Sequence, residues 1–167
     1  ETLYKKIAEN AKNMVKEKIM QQDQTPCYYL YQQKMGNHIQ IGLVAGASVE
    51  EYNSDLIKKH EHTRKDKEDD RTRHVDLINA NTGPVFLTYH HDKEIDQVVK
   101  EFSNRASEVD FTADDGIRHT FWVINKSAEI DRVTKLFEKI SALYVADGHH
   151  RSAAASRVYA LRKAKNL

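Results

Sequence analysis

Cysteine is almost absent from this sequence of 167 residues, which contains only Cys27. A single thiol excludes a disulfide within the chain and fits a reducing compartment. The sequence also lacks any run of about 18 apolar residues, which a transmembrane helix requires. No signal-peptide pattern opens the chain. We therefore expect a cytoplasmic protein with no membrane partner.

The sequence has no excess of charge of either sign. Its 26 lysine and arginine residues nearly balance 25 aspartate and glutamate residues, which gives a net charge of +1. This balance provides no electrostatic reason for nucleic acid or an acidic membrane to bind. We therefore do not expect nucleic acid to bind through this chain, and the oligomeric state stays open.

Internal repeats, linkers and low-complexity segments are also lacking. Residues 1–167 are therefore predicted to form a single domain, or a fragment of a longer chain. The two ends of the sequence suggest the fragment. The chain begins with Glu1 inside a helical pattern, and it stops at Leu167 after a lysine-rich turn without a capping glycine.

Apolar spacing and turn signals predict an α/β or α+β fold with a mixed sheet, hairpins and flanking helices. Residues 3–19 have the spacing of an amphipathic helix, and two hairpins are predicted around "KMGN" and "DDG". Further helices are predicted after Ser48, after Asp92 and from Ser127. Strands are predicted at "VFLTYH" and "ALYVA", and the last helix is predicted to follow the second of these strands.

The stretch "KKHEHTRKDKEDDRTRH", residues 58–74, contains scarcely any apolar side chain. Opposite charges recur in it at helical spacing, and exposed pairs of this kind add about 0.2–0.5 kcal/mol each. The simplest interpretation is a solvent-exposed helix or loop, as for most runs of charge. The alternative is that four of its side chains face a ligand: His60, Glu61, Arg64 and Arg71.

The segment "YVADGHHRSAAASRV" joins a strand-like run to an alanine-rich helix. Gly148 lets a ligand approach the backbone closely. If the helix begins around Arg151 or Ser152, its first amides are free, and free amides at a helix N-terminus bind anions. Arg151 adds a guanidinium that suits phosphate, and His149 and His150 add hydrogen-bond donors.

Two charges in this segment favour an anionic ligand. Arg151 lies near a helix N-terminus, where a cation is unfavourable unless an anion joins it. Asp147 repels a bare phosphate, but a magnesium ion that bridges the carboxylate and the phosphate removes this repulsion. Three other interpretations stay open, namely a hairpin turn at Asp-Gly, a pair of surface histidines and a zinc site.

The segment "ADGHHRSAAASR" resembles the glycine-x-His-Arg loop of the ParB/sulfiredoxin superfamily, which binds nucleotide phosphates at a helix start. The chain resembles more closely the family of domain of unknown function 1015. That likeness is carried by "PCYYLYQQ", "GLVAGASVEEY", "IKKHEHTRKDKEDDR", "NANTGPVFL", "RHTFWVI" and "LYVADGHHR". Family members extend beyond both ends of this sequence, which favours a fragment.

The superfamily resemblance implies roles for single residues. It places Gly148, His150 and Arg151 on the glycine and the two basic phosphate-binding positions. His149 falls where sulfiredoxins have their nucleophilic cysteine, so we do not expect their reduction chemistry. ParB proteins have a glutamate at that point, and their second nucleotide motif follows the first. In this sequence the comparable stretch, "HEHTRKDKEDDR", precedes the "ADGHHR" motif instead of following it. This order argues against a DNA clamp.

We predict a ParB/sulfiredoxin-like nucleotide-binding domain that supports phosphoryl transfer from ATP, ADP or CTP, with magnesium, to a small hydroxyl-bearing metabolite. The phosphate-binding residues are predicted to be Gly148, His149, His150, Arg151 and Ser152. Asp147 is predicted to hold magnesium or to orient the acceptor, and Glu61 or His60 to act as general base. The alternatives are a nucleotide-sensing module without catalysis, and association with DNA through segments outside this chain.

Overall fold

The computed structural model describes residues 2–165, which contain helices and strands in mixed order. No helix in that range is long and apolar enough to cross a membrane. In chain order the elements are α1 (Thr2–Lys16), β1 (Tyr28–Met35), β2 (His38–Val44), α2 (Val49–Asn53), β3 (Ile57–Lys58), α3 (Lys65–Ile78), β4 (Phe86–Thr88), α4 (Lys93–Ser103), β5 (Val109–Thr112), β6 (Arg118–Ile124), α5 (Ser127–Phe137), β7 (Leu143–Asp147) and α6 (His149–Lys165).

The described residues form two compact units. Unit 1 combines residues 2–22, 47–89 and 141–165, and unit 2 combines residues 23–46 and 90–140. Each unit has a sheet of its own, and the predicted α+β class is confirmed. The predicted mixed sheet is the one in unit 1.

Unit 2 is built on a four-stranded antiparallel sheet with the strand order β2-β1-β6-β5. Both predicted hairpins are present in it, β1 with β2 and β5 with β6. Their turns contain Gly36 at a φ of +57° and Gly116 at a φ of +80°. Glycine adopts positive φ without steric cost, which explains why the chain reverses at these positions.

The core of unit 2 consists of alternate residues of β1 and β6 together with the inner positions of α4 and α5. Asp92 caps α4, because its carboxylate accepts hydrogen bonds from the N–H groups of Glu94 and Ile95. This cap satisfies two of the free amides in the first turn of the helix. The buried cluster contains Leu30, Val98, Phe102, Trp122, Ile124 and Val133.

Unit 1 contains a three-stranded sheet with the strand order β3-β7-β4. The central strand β7 runs parallel to β3 and antiparallel to β4. Helix α6 packs against α3 and α2, and α1 packs against α3. Val145 of β7 and Ala154 of α6 are fully buried, so the alanine-rich side of α6 belongs to the core of this unit.

Two helix boundaries in unit 1 differ from the simplest sequence expectation. Helix α6 begins at His149, two or three residues earlier than predicted, because Gly148 ends the strand at a φ of +99°. The carbonyl of Gly148 accepts a helical hydrogen bond from the N–H of Ser152. The charged stretch becomes helical only at Lys65, and residues 59–64 (the 59–64 segment) have neither helix nor strand.

The charged stretch contributes most of α3, and part of it pairs with α6. The guanidinium of Arg157 lies 3.4 Å from a carboxylate oxygen of Glu68 and 2.6 Å from one of Asp69. Hydrogen bonds from Arg157 and from Lys65 hold the pKa of Asp69 below its ordinary value. The run of charge is therefore partly a solvent-exposed face and partly a contact between two helices.

We expect Arg157→Gln to lower the free energy of unfolding at neutral pH and to matter less in acid. The depressed pKa of Asp69 means that its ionised form stabilises the fold above its unfolded pKa. This stabilisation is lost as the pH falls through the lower folded pKa. Urea titrations over a range of pH measure the difference from the wild type, with Lys163→Gln as the control on the same helix. A difference that is equal at every pH would contradict this role of the Arg157–Asp69 pair.

Candidate functional site

Three strands of the unit 1 sheet bring their neighbouring loops to one edge. Because β3 and β7 are parallel, the chain leaves the sheet after Lys58 and after Asp147 on the same side. Strand β4 is antiparallel to β7, and Phe86 at its start pairs with Asp147. This topology brings together the 59–64 segment, residues 147–152 (the corner) and residues 81–85 (the 81–85 loop).

The backbone of the corner forms a helix N-terminus. Because the Ser152 N–H bonds to the Gly148 carbonyl at 2.9 Å, the amides of His149, His150 and Arg151 precede the repeating helical hydrogen bonds. The helix dipole adds partial positive charge at the same place. The amides available to an anion at this corner are therefore those of residues 149–151. The amide of Ser152 is committed to the helix, and its side chain is half-buried.

The guanidinium of Arg151 is held at this N-terminus by the 81–85 loop and by Asp147. Its Nη1–H donates to the carbonyl of Pro84, and its Nη2–H donates to the carboxylate of Asp147. Gly83 and Gly148 both lie against it. A Cβ at Gly83 would be 3.2 Å from Cδ of Arg151, and one at Gly148 would be 3.2 Å from Nε. Both glycines are therefore needed for the observed position of the guanidinium.

The ion pair between Asp147 and Arg151 is open to solvent. The Asp147 side chain is 71% exposed and that of Arg151 is 34% exposed. An exposed carboxylate is well hydrated and binds its partner weakly. Arginine also carries five N–H donors, so the two hydrogen bonds described leave others for a ligand. The arginine is thus positioned without being enclosed.

His149 lies in the interior, in contact with the 59–64 segment. Its exposure is 5%, and its ring packs edge-on against His60 with the ring centres 4.5 Å apart. Nδ1 of His149 lies 3.5 Å from Oε2 of Glu61. Its Nε2 is buried and has no hydrogen-bond partner. His149 therefore faces the 59–64 segment and not the solvent.

His150 is half-buried and holds the end of the same segment. Its Nε2 accepts a hydrogen bond of 3.1 Å from the backbone N–H of Arg64. A ring nitrogen that accepts from an N–H carries no proton, so neutral His150 has its proton on Nδ1. The side chain of Arg64 turns away and pairs with Asp66 at 2.8 Å.

The structure brings together the residues predicted from the two separate motifs. His60 and Glu61 contact His149, and the backbone of Arg64 contacts His150, whereas Arg71 is exposed on α3 outside this cluster. Sequence reasoning missed the 81–85 loop, which supplies two contacts to the arginine of the corner. Its "TGP" sequence lies just before the strand predicted at "VFLTYH", and no local pattern in it indicates a contact with Arg151.

Within residues 2–165, no three histidine, cysteine or acidic side chains are placed so as to hold a metal ion. A zinc site made of protein ligands, one of the alternatives left open by the sequence, therefore has no ligand set there. Magnesium differs, because proteins often bind it through one or two carboxylates together with substrate phosphates. Asp147 provides one exposed carboxylate of that kind.

Unit 2 contains a groove of about 510 Å³ whose lining includes three cations. Two of them are already paired. Nζ of Lys139 lies 2.7 Å from Glu94, whose hydrogen bond raises the pKa of that lysine, and Arg132 lies 2.8 Å from Glu101. This pairing leaves Lys135 as the less constrained cation of the groove. The groove therefore has a weaker case as an anion site than the corner.

Comparison with known proteins identifies a family and no individual relative. The family described as "Protein of unknown function (DUF1015)" matches residues 1–167. Because the match covers the whole chain, the chain belongs to this family. No curated protein and no solved structure matches it.

Proposed function

We propose that this DUF1015 chain binds the phosphate groups of a nucleotide at the corner of unit 1. The observation that carries the proposal is the position of Arg151. A cation in the first turn of a helix is opposed by the helix dipole, yet the carbonyl of Pro84 and the carboxylate of Asp147 hold Arg151 there. The Asp147 carboxylate is exposed and offsets this opposition only weakly, so an anion bound beside Arg151 would offset it further.

The corner offers two kinds of phosphate ligand. The amides of residues 149–151 lie at the helix N-terminus and supply backbone donors. Arg151 supplies charge-assisted hydrogen bonds, which are about twice as strong as neutral ones. The close packing of Gly148 against the guanidinium keeps both sets of donors within a few ångströms of each other. This arrangement suits a phosphate group better than a carboxylate, because phosphate has more oxygens to share.

Magnesium is part of the proposed ligand, as ATP, ADP or CTP with Mg²⁺. Asp147 is the residue that would hold the ion, because its carboxylate is exposed and lies next to the guanidinium of Arg151. The ion would neutralise charge between the carboxylate and the phosphates. The proposed site follows the ParB/sulfiredoxin-like pattern, and a cytoplasmic location fits both the nucleotide and the free thiol of Cys27.

Two activities fit a nucleotide at the corner. The first is phosphoryl transfer to a small hydroxyl-bearing metabolite, supported by the cluster of His60, Glu61 and His149 beside the site. The second is nucleotide sensing without catalysis. It is supported by the hydrogen bond from the Arg64 backbone N–H to His150, because this bond ties the 59–64 segment to the corner and a ligand that displaces the His150 ring would release the segment. The net charge of +1 gives no support to a DNA partner.

Thermal denaturation with ATP, ADP and CTP, each with and without Mg²⁺, tests nucleotide binding. A nucleotide at a hundred times its dissociation constant stabilises the folded protein by about 2.7 kcal/mol, which gives a clear shift in Tm. We expect Arg151→Ala to abolish the shift, and Arg151→Lys to reduce it because an ammonium group lacks the two-pronged geometry.

Lys163→Ala is the matched control, since it removes a cation from the exposed C-terminal turn of the same helix. This variant is expected to keep the full shift. Equal shifts in Arg151→Ala and Lys163→Ala would show that nucleotide binds elsewhere. No shift in the wild-type protein with any of the three nucleotides would overturn the proposed function.

A further inference from the structure

The side chain of His149, whose amide belongs to the proposed phosphate site, pairs with the carboxylate of Glu61. The carboxylate faces Nδ1 at 3.5 Å and favours a proton on that nitrogen. A neutral imidazole carries one proton, so Nε2 then has a free lone pair. The same nitrogen is buried and has no hydrogen-bond partner. The pair therefore leaves a basic nitrogen without a partner in the first residue of α6.

The unpaired nitrogen requires a reason. Buried polar atoms in folded proteins nearly always have a hydrogen-bond partner, and the exceptions often have a chemical role. A histidine that only fills space would leave the same unfavourable atom where an apolar side chain would leave none. His149 is also the first residue of the helix whose amides form the proposed site. The lone pair and the phosphate-binding amides thus belong to one turn of the chain.

We propose that His149 is the general base for phosphoryl transfer to a hydroxyl group, and that Glu61 positions it. A base oriented by a third group is the common arrangement for activating a hydroxyl nucleophile. This inference rests on the proposed nucleotide site, and it changes the assignment made from the sequence. There, Glu61 or His60 was the base and His149 was a phosphate ligand.

The proposed step uses a nucleoside di- or triphosphate and a hydroxyl-bearing acceptor. The acceptor O–H gives its proton to Nε2 of His149, and the acceptor oxygen forms a new P–O bond with the terminal phosphorus. The bond from that phosphorus to the bridging oxygen breaks, and its electron pair leaves with the shortened nucleotide. Glu61 stabilises the imidazolium until the proton passes to solvent. Arg151 and the amides of the corner stabilise the charge on the transferred phosphoryl group.

The 59–64 segment packs against the imidazole of this base. The ring of His60 packs on His149, and the backbone of Arg64 is hydrogen-bonded to His150. Glu61 belongs to the same segment, so the segment stays in place during the proton transfer and keeps bulk water from its side of the imidazole. We expect transfer to a hydroxyl acceptor to exceed hydrolysis of the nucleotide.

Phosphorus NMR tests the step directly. ATP, ADP and CTP with Mg²⁺ are incubated with the wild-type protein and a panel of amino acids and sugars, and new phosphate esters are measured. We expect His149→Asn to reduce transfer by about 10²–10⁴-fold. Asparagine keeps a donor near the position of Nδ1 and removes Nε2. The Tm shift given by nucleotide should persist in this variant, which shows that the fold and the phosphate site remain.

The outcomes separate the base from the binding site. The assignment of His149 as general base is overturned if a nucleotide shifts the wild-type Tm but its phosphoryl group is never transferred. It is also overturned if His149→Asn transfers the phosphoryl group as fast as the wild type. A wild-type protein without any Tm shift instead overturns the nucleotide site on which the base depends. Glu61→Gln is expected to lower kcat while KM for the nucleotide stays unchanged, since a positioning residue acts through His149.

Nitrogen NMR of the histidine rings gives a readout that does not depend on turnover. Free protein is expected to show His149 with a protonated Nδ1 and a bare Nε2, and Glu61→Gln is expected to weaken this preference. The opposite tautomer in the wild-type protein would contradict the proposal, because a protonated Nε2 cannot accept a proton from a hydroxyl. His149→Asn identifies the resonance.

Discussion

Replacing Gly148 with alanine is expected to lower the free energy of unfolding by about 1–3 kcal/mol, the usual cost of a residue held in an unfavourable backbone region. Its φ of +99° lies where side chains other than glycine are strained. The added Cβ would also lie 3.2 Å from Nε and Nη2 of Arg151. We therefore expect both a lower Tm and a loss of the nucleotide-induced shift.

Two other glycines separate the backbone effect from the contact effect. Gly116 has a φ of +80° and open space around its Cβ position, so Gly116→Ala tests strain alone. Gly83 is close to the Arg151 side chain and its φ lies outside the left-handed region, so Gly83→Ala tests displacement of the guanidinium alone. We expect the first variant to lose stability and keep nucleotide binding. The second should lose binding with a smaller change in stability.

This set of variants is measured by denaturant unfolding and by the Tm shift with nucleotide. Unchanged nucleotide binding in both Gly148→Ala and Gly83→Ala would show that the position of Arg151 is not important for the ligand. Loss of binding in Gly116→Ala would show that binding follows general stability instead of the geometry of the corner.

The largest effect on stability is expected from Phe102→Ala. Phe102 is 1% exposed and belongs to the central cluster of unit 2. Truncating a buried phenylalanine removes its transfer free energy and leaves a cavity, which together cost about 3–5 kcal/mol. Urea unfolding measures this loss as a lower midpoint.

Phe111→Ala is the control for this substitution. The Phe111 side chain on β5 is 52% exposed, so its removal creates no comparable cavity. A surface substitution of this kind usually changes stability by no more than about 0.5 kcal/mol. Similar losses in Phe102→Ala and Phe111→Ala would contradict the core described for unit 2.

Local signals in the sequence predicted much of the fold. Ser48 and Asp92 cap helices α2 and α4, as their positions indicated. The two hairpins formed at turns that contain Gly36 and Gly116. These features depend on residues within a few positions of each other, so a single sequence displays them directly.

Features that depend on distant pairing were not predicted. The parallel pairing of β3 with β7 brings Glu61 to His149, yet the paired strands are separated by more than eighty residues and β3 has two residues. The contact of Gly83 with Arg151 has the same origin, because the antiparallel pairing of β4 with β7 creates it. No local pattern reports such contacts.

The candidate site was predicted in composition and only partly in arrangement. Five consecutive residues at the corner pointed to an anion, and that part needed no tertiary information. The exact start of α6 depends on Gly148 and decides which amides are free, namely those of residues 149–151 and not that of Ser152. The burial of His149 follows from the position of the 59–64 segment, which sequence alone does not fix.

One NMR titration tests the central claim most directly. Adding ATP with Mg²⁺ to the ¹⁵N-labelled protein is predicted to move the amide signals of residues 148–151 and the Nε–H signal of Arg151 more than any others. The amide signals of residues 148–151 should stay unmoved in Arg151→Ala, which lacks the Nε–H group. Binding that shifts signals elsewhere and leaves these five unchanged would contradict a phosphate site at the start of α6.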